Sequence, residues 1–266
     1  MHNDLNTLFD HLWQNYLEVT PSAHKVHQLL GNGNDVINDH IALRTFNIEK
    51  VNLAKLAAHF LALGYQEKNQ YDFEAKKLKA VHLEHPDDTQ PKVFISELLV
   101  EEFSPTLQQI VRDMVAHVPA EATEQDDFLY SGPHWQVTSE QYQTLLAESE
   151  YAAWMAAWGY RVNHFTVSVN YLNNYQELAA VNDTLKHAGF ILNTAGGEIK
   201  GGPDVFLAQS STMADKAEVV FSDKSLAIPS CFYEFAQRYT LPNGQIYKGF
   251  VAASADKIFE STNATS

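Results

Sequence analysis

Asn38-Asp39-His40-Ile41-Ala42-Leu43-Arg44-Thr45-Phe46 and Val162-Asn163-His164-Phe165-Thr166-Val167-Ser168-Val169-Asn170 decide the fold, because they read as two versions of one strand. Side chains alternate along a strand, so His40, Ala42, Arg44 and Phe46 share one face and Ile41, Leu43 and Thr45 the other. In the second stretch His164, Thr166, Ser168 and Asn170 make a polar face, while Phe165, Val167 and Val169 make an apolar one that needs a helix or sheet against it. Both strands turn a histidine-bearing face toward something other than ordinary core.

The similarity extends beyond these strings. Each strand is followed by an amphipathic helical segment that ends on a glycine, Leu63-Gly64-Tyr65 in one copy and Ala188-Gly189-Phe190 in the other. Strand-like runs follow, and each copy closes on an apolar strand with an embedded glutamate, Val93-Phe94-Ile95-Ser96-Glu97-Leu98 and Cys231-Phe232-Tyr233-Glu234-Phe235-Ala236. A period this long indicates a duplicated module rather than a solenoid, whose repeats run at roughly 20 to 50 residues. The expected class is α+β: duplicated β-α-β-β-β modules forming a curved mixed sheet around a cavity, with additional N-terminal and inter-module helices.

Within one domain, 1–266, the expected parts are N-terminal helices at 1–37, a first module at 38–103, a helical insert at 104–160, a second module at 161–253 and a polar tail at 254–266. Leu5, Leu8, Leu12 and Tyr16 fall at helical spacing and predict a helix docked on the body. Gly31-Asn32-Gly33-Asn34 leads into a strand, so it is not a phosphate loop, which must open a helix. Leu53, Leu56, Ala57, Phe60 and Leu61 predict the buried stripe of the first module's helix. In the insert, Ser104-Pro105 begins one helix and Thr138 with Gln141 has capping-box spacing for another. The glycines between Gly196 and Gly202 mark an insertion in the second copy, read equally as a lid or a long hairpin loop.

Composition bounds the function. A formal charge of −15 excludes broad binding to nucleic acid or anionic membranes, which depends on clustered Lys and Arg. An anionic substrate needs a local cation against that field, and Arg44 on the His40 face is one. Cys231 alone rules out an intramolecular disulfide and a cysteine-based zinc site. No apolar run approaches the roughly 18 residues of a membrane helix and no basic-then-apolar leader is present, so a cytoplasmic protein is expected. Asn263-Ala264-Thr265 matches a glycosylation acceptor only by accident in that setting.

Duplication lets equivalent residues converge on one cavity, and the convergent set is His40, His164, Glu234 and Glu97. Two imidazoles and one carboxylate on one face of a metal leave the opposite positions open, as in non-haem Fe(II) oxygenases. Glu234 is the expected ligand. Glu97 is either a fourth ligand or a buried partner for a basic group.

The duplicated module, with His on its first strand and Glu on its last, resembles the vicinal oxygen chelate superfamily. More narrowly, His-Ile-Ala-Leu-Arg-Thr-Phe at 40–46, Val-Asn-His-Phe-Thr at 162–166 and Tyr-Glu-Phe-Ala-Gln-Arg at 233–238 resemble the domain-of-unknown-function 1338 family, whose members include 2-oxoadipate dioxygenase/decarboxylases of lysine catabolism. The resemblance implies Fe(II) held by His40, His164 and Glu234. It also implies a small 2-oxo acid and dioxygen as partners, with Arg44 binding a substrate carboxylate beside His40. The same open site suits a Zn, Ni or Mn lyase, isomerase or hydrolase, and a cavity without metal suits a small-molecule-binding protein.

Overall fold

The structure is a computed structural model that describes residues 1–32 and 36–263. The Gly33-Asn34 part of the early loop and the Ala264-Thr265 part of the acceptor-like triplet lie outside the described residues. In chain order the elements are α1 (Leu5–Val19), α2 (Pro21–Gly31), β1 (Asn38–Phe46), α3 (Leu53–Leu61), β2 (Gln66–Phe73), β3 (Leu78–Glu84) and β4 (Lys92–Leu98). Then come α4 (Pro105–Ala116), α5 (Ser139–Glu148), α6 (Glu150–Trp158), β5 (Val162–Ser168), α7 (Leu178–His187), β6 (Lys200–Gly202) and β7 (Leu207–Ser211). The chain ends with β8 (Lys216–Val220), β9 (Ser225–Pro229), β10 (Phe232–Arg238) and α8 (Ala252–Ile258).

Eight strands make one curled mixed sheet in the order β2-β3-β4-β1-β5-β10-β7-β6, and β8-β9 form a separate hairpin. The order is two four-stranded copies joined edge to edge, with β1 and β5 antiparallel at the seam. In each copy the first strand pairs parallel with the last, β1 with β4 and β5 with β10, which the intervening crossover requires. Both module helices also end alike. Gly64 (φ +96°) and Gly189 (φ +89°) take the left-handed conformation, and the next amide reaches back five residues, Tyr65 to the Phe60 carbonyl and Phe190 to the Leu185 carbonyl. That is the helix-ending motif in which glycine avoids the Cβ clash.

Helix α1 buries Leu8, Leu12 and Tyr16 against the sheet, and the Tyr16 hydroxyl donates to the Phe232 carbonyl at 2.5 Å. Thr138 and Gln141 form the expected capping box at the start of α5. In α3, Leu61, expected in the buried stripe, is instead 46% exposed, and His59 is buried, bonding the Thr123 carbonyl at 2.8 Å.

Two expectations change. The glycines at 196–202 do not bracket an insertion: Gly201 and Gly202 belong to edge strand β6, paired with β7. At Gly201 (φ +74°) a Cβ would meet the Leu207 carbonyl oxygen at 2.2 Å, so this glycine permits the strands to close. The extra length of the second copy lies instead between β7 and β10, where residues 212–231 carry the β8-β9 hairpin and residues 85–91 suffice in the first copy. The segment expected as a polar tail is folded. Helix α8 contacts β2 on one side and β6 and β7 on the other, so it closes the open side of the curled sheet. Ile258, Phe259, Ser261 and Thr262 are buried there. A few apolar side chains in a polar stretch dock when they meet an open sheet, which local hydropathy does not reveal.

Candidate metal centre

The seam between the copies puts the two histidines side by side, His40 opposite Thr166 and Ala42 opposite His164. On the other flank of β5, Glu234 pairs with Thr166, so all three side chains point into the cavity under α8. One ligand atom from each of His40, His164 and Glu234 lies within 4.8 Å of the others, and all three residues are buried. The Glu234 Oε2 stands 3.0 Å from His164 Nε2 and 3.6 Å from His40 Nε2. His40 Nε2 is also 3.1 Å from the Thr166 hydroxyl.

The residue before each histidine fixes its tautomer. Asp39 Oδ1 accepts from His40 Nδ1 at 2.8 Å, and Asn163 Oδ1 accepts from His164 Nδ1 at 2.9 Å. A proton held on Nδ1 leaves the Nε2 lone pair aimed at the centre, the form a metal needs. Asp39 is gripped in turn by Arg238, with Nε donating to Oδ2 at 2.6 Å and Nη2 to Oδ1 at 2.8 Å. Arg238 Nη1 also donates to the carbonyls of Tyr247 (3.1 Å) and Gly249 (2.8 Å). A single network thus runs from an imidazole to the loop that delivers Phe250, whose ring stands edge-on to His40 at 4.8 Å.

Electrostatics favour a cation. Without a metal, burial alone would raise the Glu234 pKa, but the His40 charge and hydrogen bonds from protonated Nε2 atoms outweigh it and hold the carboxyl at about 2; a bound cation would take the place of those Nε2 protons. Burial opposes the charge on His40, and Glu234 with Asp39 overcomes it, raising its pKa; for His164 burial prevails and the pKa falls. Asp39, despite its burial, stays well below the carboxylate range because of Arg238 and His40. Glu234 Oε1 accepts from Gln209 Nε2 at 2.5 Å, which reserves Oε2 for the centre. Gln209 Oε1 is buried with no partner.

Arg44 lies four residues along β1 on the His40 face, about 13 Å away by strand rise. Its guanidinium is 4.8 Å from the Tyr151 ring, 4.9 Å from Trp154 and 5.6 Å from Phe259. Nη2 donates to the Thr262 hydroxyl at 3.3 Å, and Glu150 approaches Nη1 to 3.5 Å. Nε and Nη1 have no hydrogen-bond partner although buried. A buried charged donor without a hydrogen-bond acceptor is costly, and the Glu150 carboxylate beside Nη1 offsets only part of that cost.

Glu97 is not in the site. It pairs with Thr45, on the face opposite Arg44, and Oε2 accepts from the Leu53 amide at 2.9 Å at the start of α3. The register gives the reason. Two residues past His164 is Thr166, paired with Glu234; two residues past His40 is Ala42, paired with Phe94. The counterpart of Glu234 is therefore Phe94, and the first copy offers one ligand where the second offers two. Matching the closing strands by their glutamates misplaces them by three residues, an odd shift that reverses the face. Sequence reading also missed Asp39, Asn163, Gln209 and Arg238 as supports. The doubled Asp/Asn-His pair was the available signal for the first two.

The immediate cavity has a volume of about 20 Å³, room for an ion or one water, and is roofed by Phe94, Phe250, Ala255, Ile258 and Phe259. Cys231 is buried and free, and burial pushes its thiol to about 12, so it offers no ligand. No helix among the described residues is long and apolar enough to cross a membrane.

Comparison with known proteins adds to this geometry. The sequence model of a family described as 2-oxoadipate dioxygenase/decarboxylase matches residues 3–246. The chain is 33% identical to the chloroplastic/amyloplastic 2-oxoadipate dioxygenase/decarboxylase of Oryza sativa subsp. japonica, over 97% of this chain and 78% of that one. The solved structure of the Oryza sativa hydroxyglutarate synthase in complex with 2-oxoadipate superposes with a TM-score of 0.90 at 34% identity, covering 97% of this chain and 92% of the other. A Shewanella frigidimarina NCIMB 400 structure that carries a provisional description as a hydrolase superposes at 0.92 with 62% identity, over 95% and 100% of the two chains. A glyoxalase superfamily protein from Ralstonia eutropha JMP134, 19% identical with a TM-score of 0.73 over 91% of this chain and 84% of that one, shares the fold.

Proposed function

This chain belongs to the 2-oxoadipate dioxygenase/decarboxylase family, and from that premise we propose that it is an Fe(II)-dependent dioxygenase/decarboxylase of a small 2-oxo acid, 2-oxoadipate first among them. The observation that carries the proposal is the pairing of two Nδ1-locked imidazoles and one carboxylate with Arg44 farther along the same strand face, whose Nε and Nη1 are buried without a hydrogen bond.

The donor set fits the ion. Two neutral nitrogens and one carboxylate oxygen suit a ferrous ion and leave positions open for exogenous ligands. His40, His164 and Glu234 would hold it, and when bound it would supply coordination of the 2-oxo acid's carboxylate and keto oxygens together with activation of dioxygen. Asp39 and Asn163 keep the Nδ1 protons in place, so both imidazoles stay neutral donors through turnover. Arg44 Nε and Nη1 receive a substrate carboxylate, with the Tyr151 and Trp154 rings fixing the plane of the fork. Phe94, Phe250 and Phe259 exclude water from the reacting atoms. The small cavity requires the covering segment to yield before a six-carbon acid enters, so Phe250 and the stretch after it move during the cycle.

The overall reaction balances. 2-Oxoadipate loses its first carbon as CO2; one atom of dioxygen completes the carboxylate formed at the former keto carbon, and the other becomes the hydroxyl of 2-hydroxyglutarate. The test is oxygen uptake by anaerobically iron-loaded protein across a panel of 2-oxo acids, with CO2 and 2-hydroxyglutarate quantified. Uptake with 2-oxoadipate at one O2 per CO2 is expected. Ester or amide hydrolysis by the metal-loaded protein, with no oxygen consumed, would overturn the proposal.

A further inference from the structure

A second cavity, of about 430 Å³, lies at the end of the sheet where β1 and β4 begin and β5 and β10 end. It is on the opposite side of the His40 layer from Arg44, and Asp39, which orients the His40 ring, is part of its wall. Lys92, Arg238 and Lys248 line it. Two of these charges are matched, Arg238 by Asp39 at 2.6 Å and Lys248 by Asp88 at 2.6 Å. The Lys92 side chain is half-buried, and its ammonium has neither a hydrogen bond nor an ion pair among the described residues. Its ammonium is not cut off from water and is committed to no acceptor among the described residues, so an anion in the cavity would meet a free positive charge. Burial pulls the Lys92 pKa below the ordinary lysine range, with the Asp39 carboxylate opposing. Among otherwise polar lining residues the rim carries three large exposed apolar side chains, Ile37, Tyr171 and Ile246, which are 42%, 64% and 45% exposed. One unmatched cation beside these three apolar side chains is complementary to a short hydrocarbon chain ending in a carboxylate, in a chain whose formal charge of −15 repels anions elsewhere.

We propose that this cavity is a receiving site for small aliphatic carboxylates, in which the Lys92 ammonium takes the carboxylate and Ile37, Tyr171 and Ile246 take the methylenes. Lys92 is the register partner of His40 on the neighbouring strand, so an acid received here is already beside the metal-binding layer. The proposal rests on the dioxygenase reading only for the identity of the acid that goes on to react. Its test needs neither metal nor turnover. Metal-free full-length protein is titrated calorimetrically with glutarate, a diacid that lacks the 2-oxo group, and with uncharged 1,5-pentanediol. Glutarate is expected to bind and the diol not; Lys92→Met should weaken glutarate about tenfold or more, while Lys92→Arg stays close to wild type. Melting curves of the variants confirm that they are folded. Wild-type protein that takes up no glutarate at about 10 mM, or Lys92→Met with wild-type affinity, overturns the assignment. Failure of oxygen uptake leaves it standing.

Discussion

Asp39→Asn separates the structural and the metal-organising consequences of one carboxylate. Asp39 accepts three short hydrogen bonds, two from Arg238 at 2.6 and 2.8 Å and one from His40 Nδ1 at 2.8 Å, with both ionic partners almost wholly buried. Asparagine keeps the shape but supplies one acceptor oxygen and no charge, leaving the Arg238 guanidinium buried and uncompensated. Breaking one side of such a pair costs roughly 3–5 kcal/mol, and at this chain length that lowers the melting temperature by about 10 °C. Loss of the outer partner of a metal-binding histidine lowers metal affinity by roughly 10–100-fold. Asn163→Leu is the matched comparison, because Asn163 accepts only from His164 and its own amide nitrogen is buried without a partner. Its stability cost is about 1 kcal/mol or less, while its effect on metal affinity is of the same order as that of Asp39→Asn. Thermal melts of metal-free protein and anaerobic chelator-competition titrations measure the two effects. Asp39→Asn with wild-type metal affinity, or with an unshifted melting temperature, would refute the reasoning.

Other variants test the remaining assignments. Arg44→Lys keeps the charge and loses the fork, so the KM for 2-oxoadipate should rise roughly 10- to 100-fold with metal content unchanged, as steady-state kinetics and metal analysis will show. Glu97→Ala should leave metal binding untouched and cost about 1 kcal/mol, because Glu97 supports the first turn of α3 and nothing else in the site. The pH dependence follows from Glu234: its folded pKa of about 2 lies below the ordinary 4.5, so its contribution is complete above that ordinary value and is lost as pH falls from about 4.5 through about 2. Glu234→Gln should accordingly destabilise metal-free protein at pH 6 and by much less at pH 3, read from denaturant midpoints.

Much of this was legible in the sequence because strand alternation and duplication are strong signals. His40 and His164 occupy the same place in equivalent strands, and a cavity between the copies follows from that. The choice between the two glutamates was legible only in part. An apolar strand buried on both faces gives no parity signal, and Phe94 in the position of Glu234 looks like ordinary core. The closure by α8 was invisible because its docking depends on the sheet's curl, not on its own pattern. Gln209 and Arg238 were equally hidden, since their roles come from long-range pairing. Cross-strand neighbours are fixed by register, which the sequence alone leaves open.

The account turns on two halves of the chain sharing one cation, and anaerobic titration of metal-free protein with ferrous ion measures that directly. One ion per chain is predicted, with binding reduced severely and alike by His40→Ala, His164→Ala and Glu234→Ala. No saturable uptake, or a stoichiometric ion retained after either histidine is removed, would contradict it.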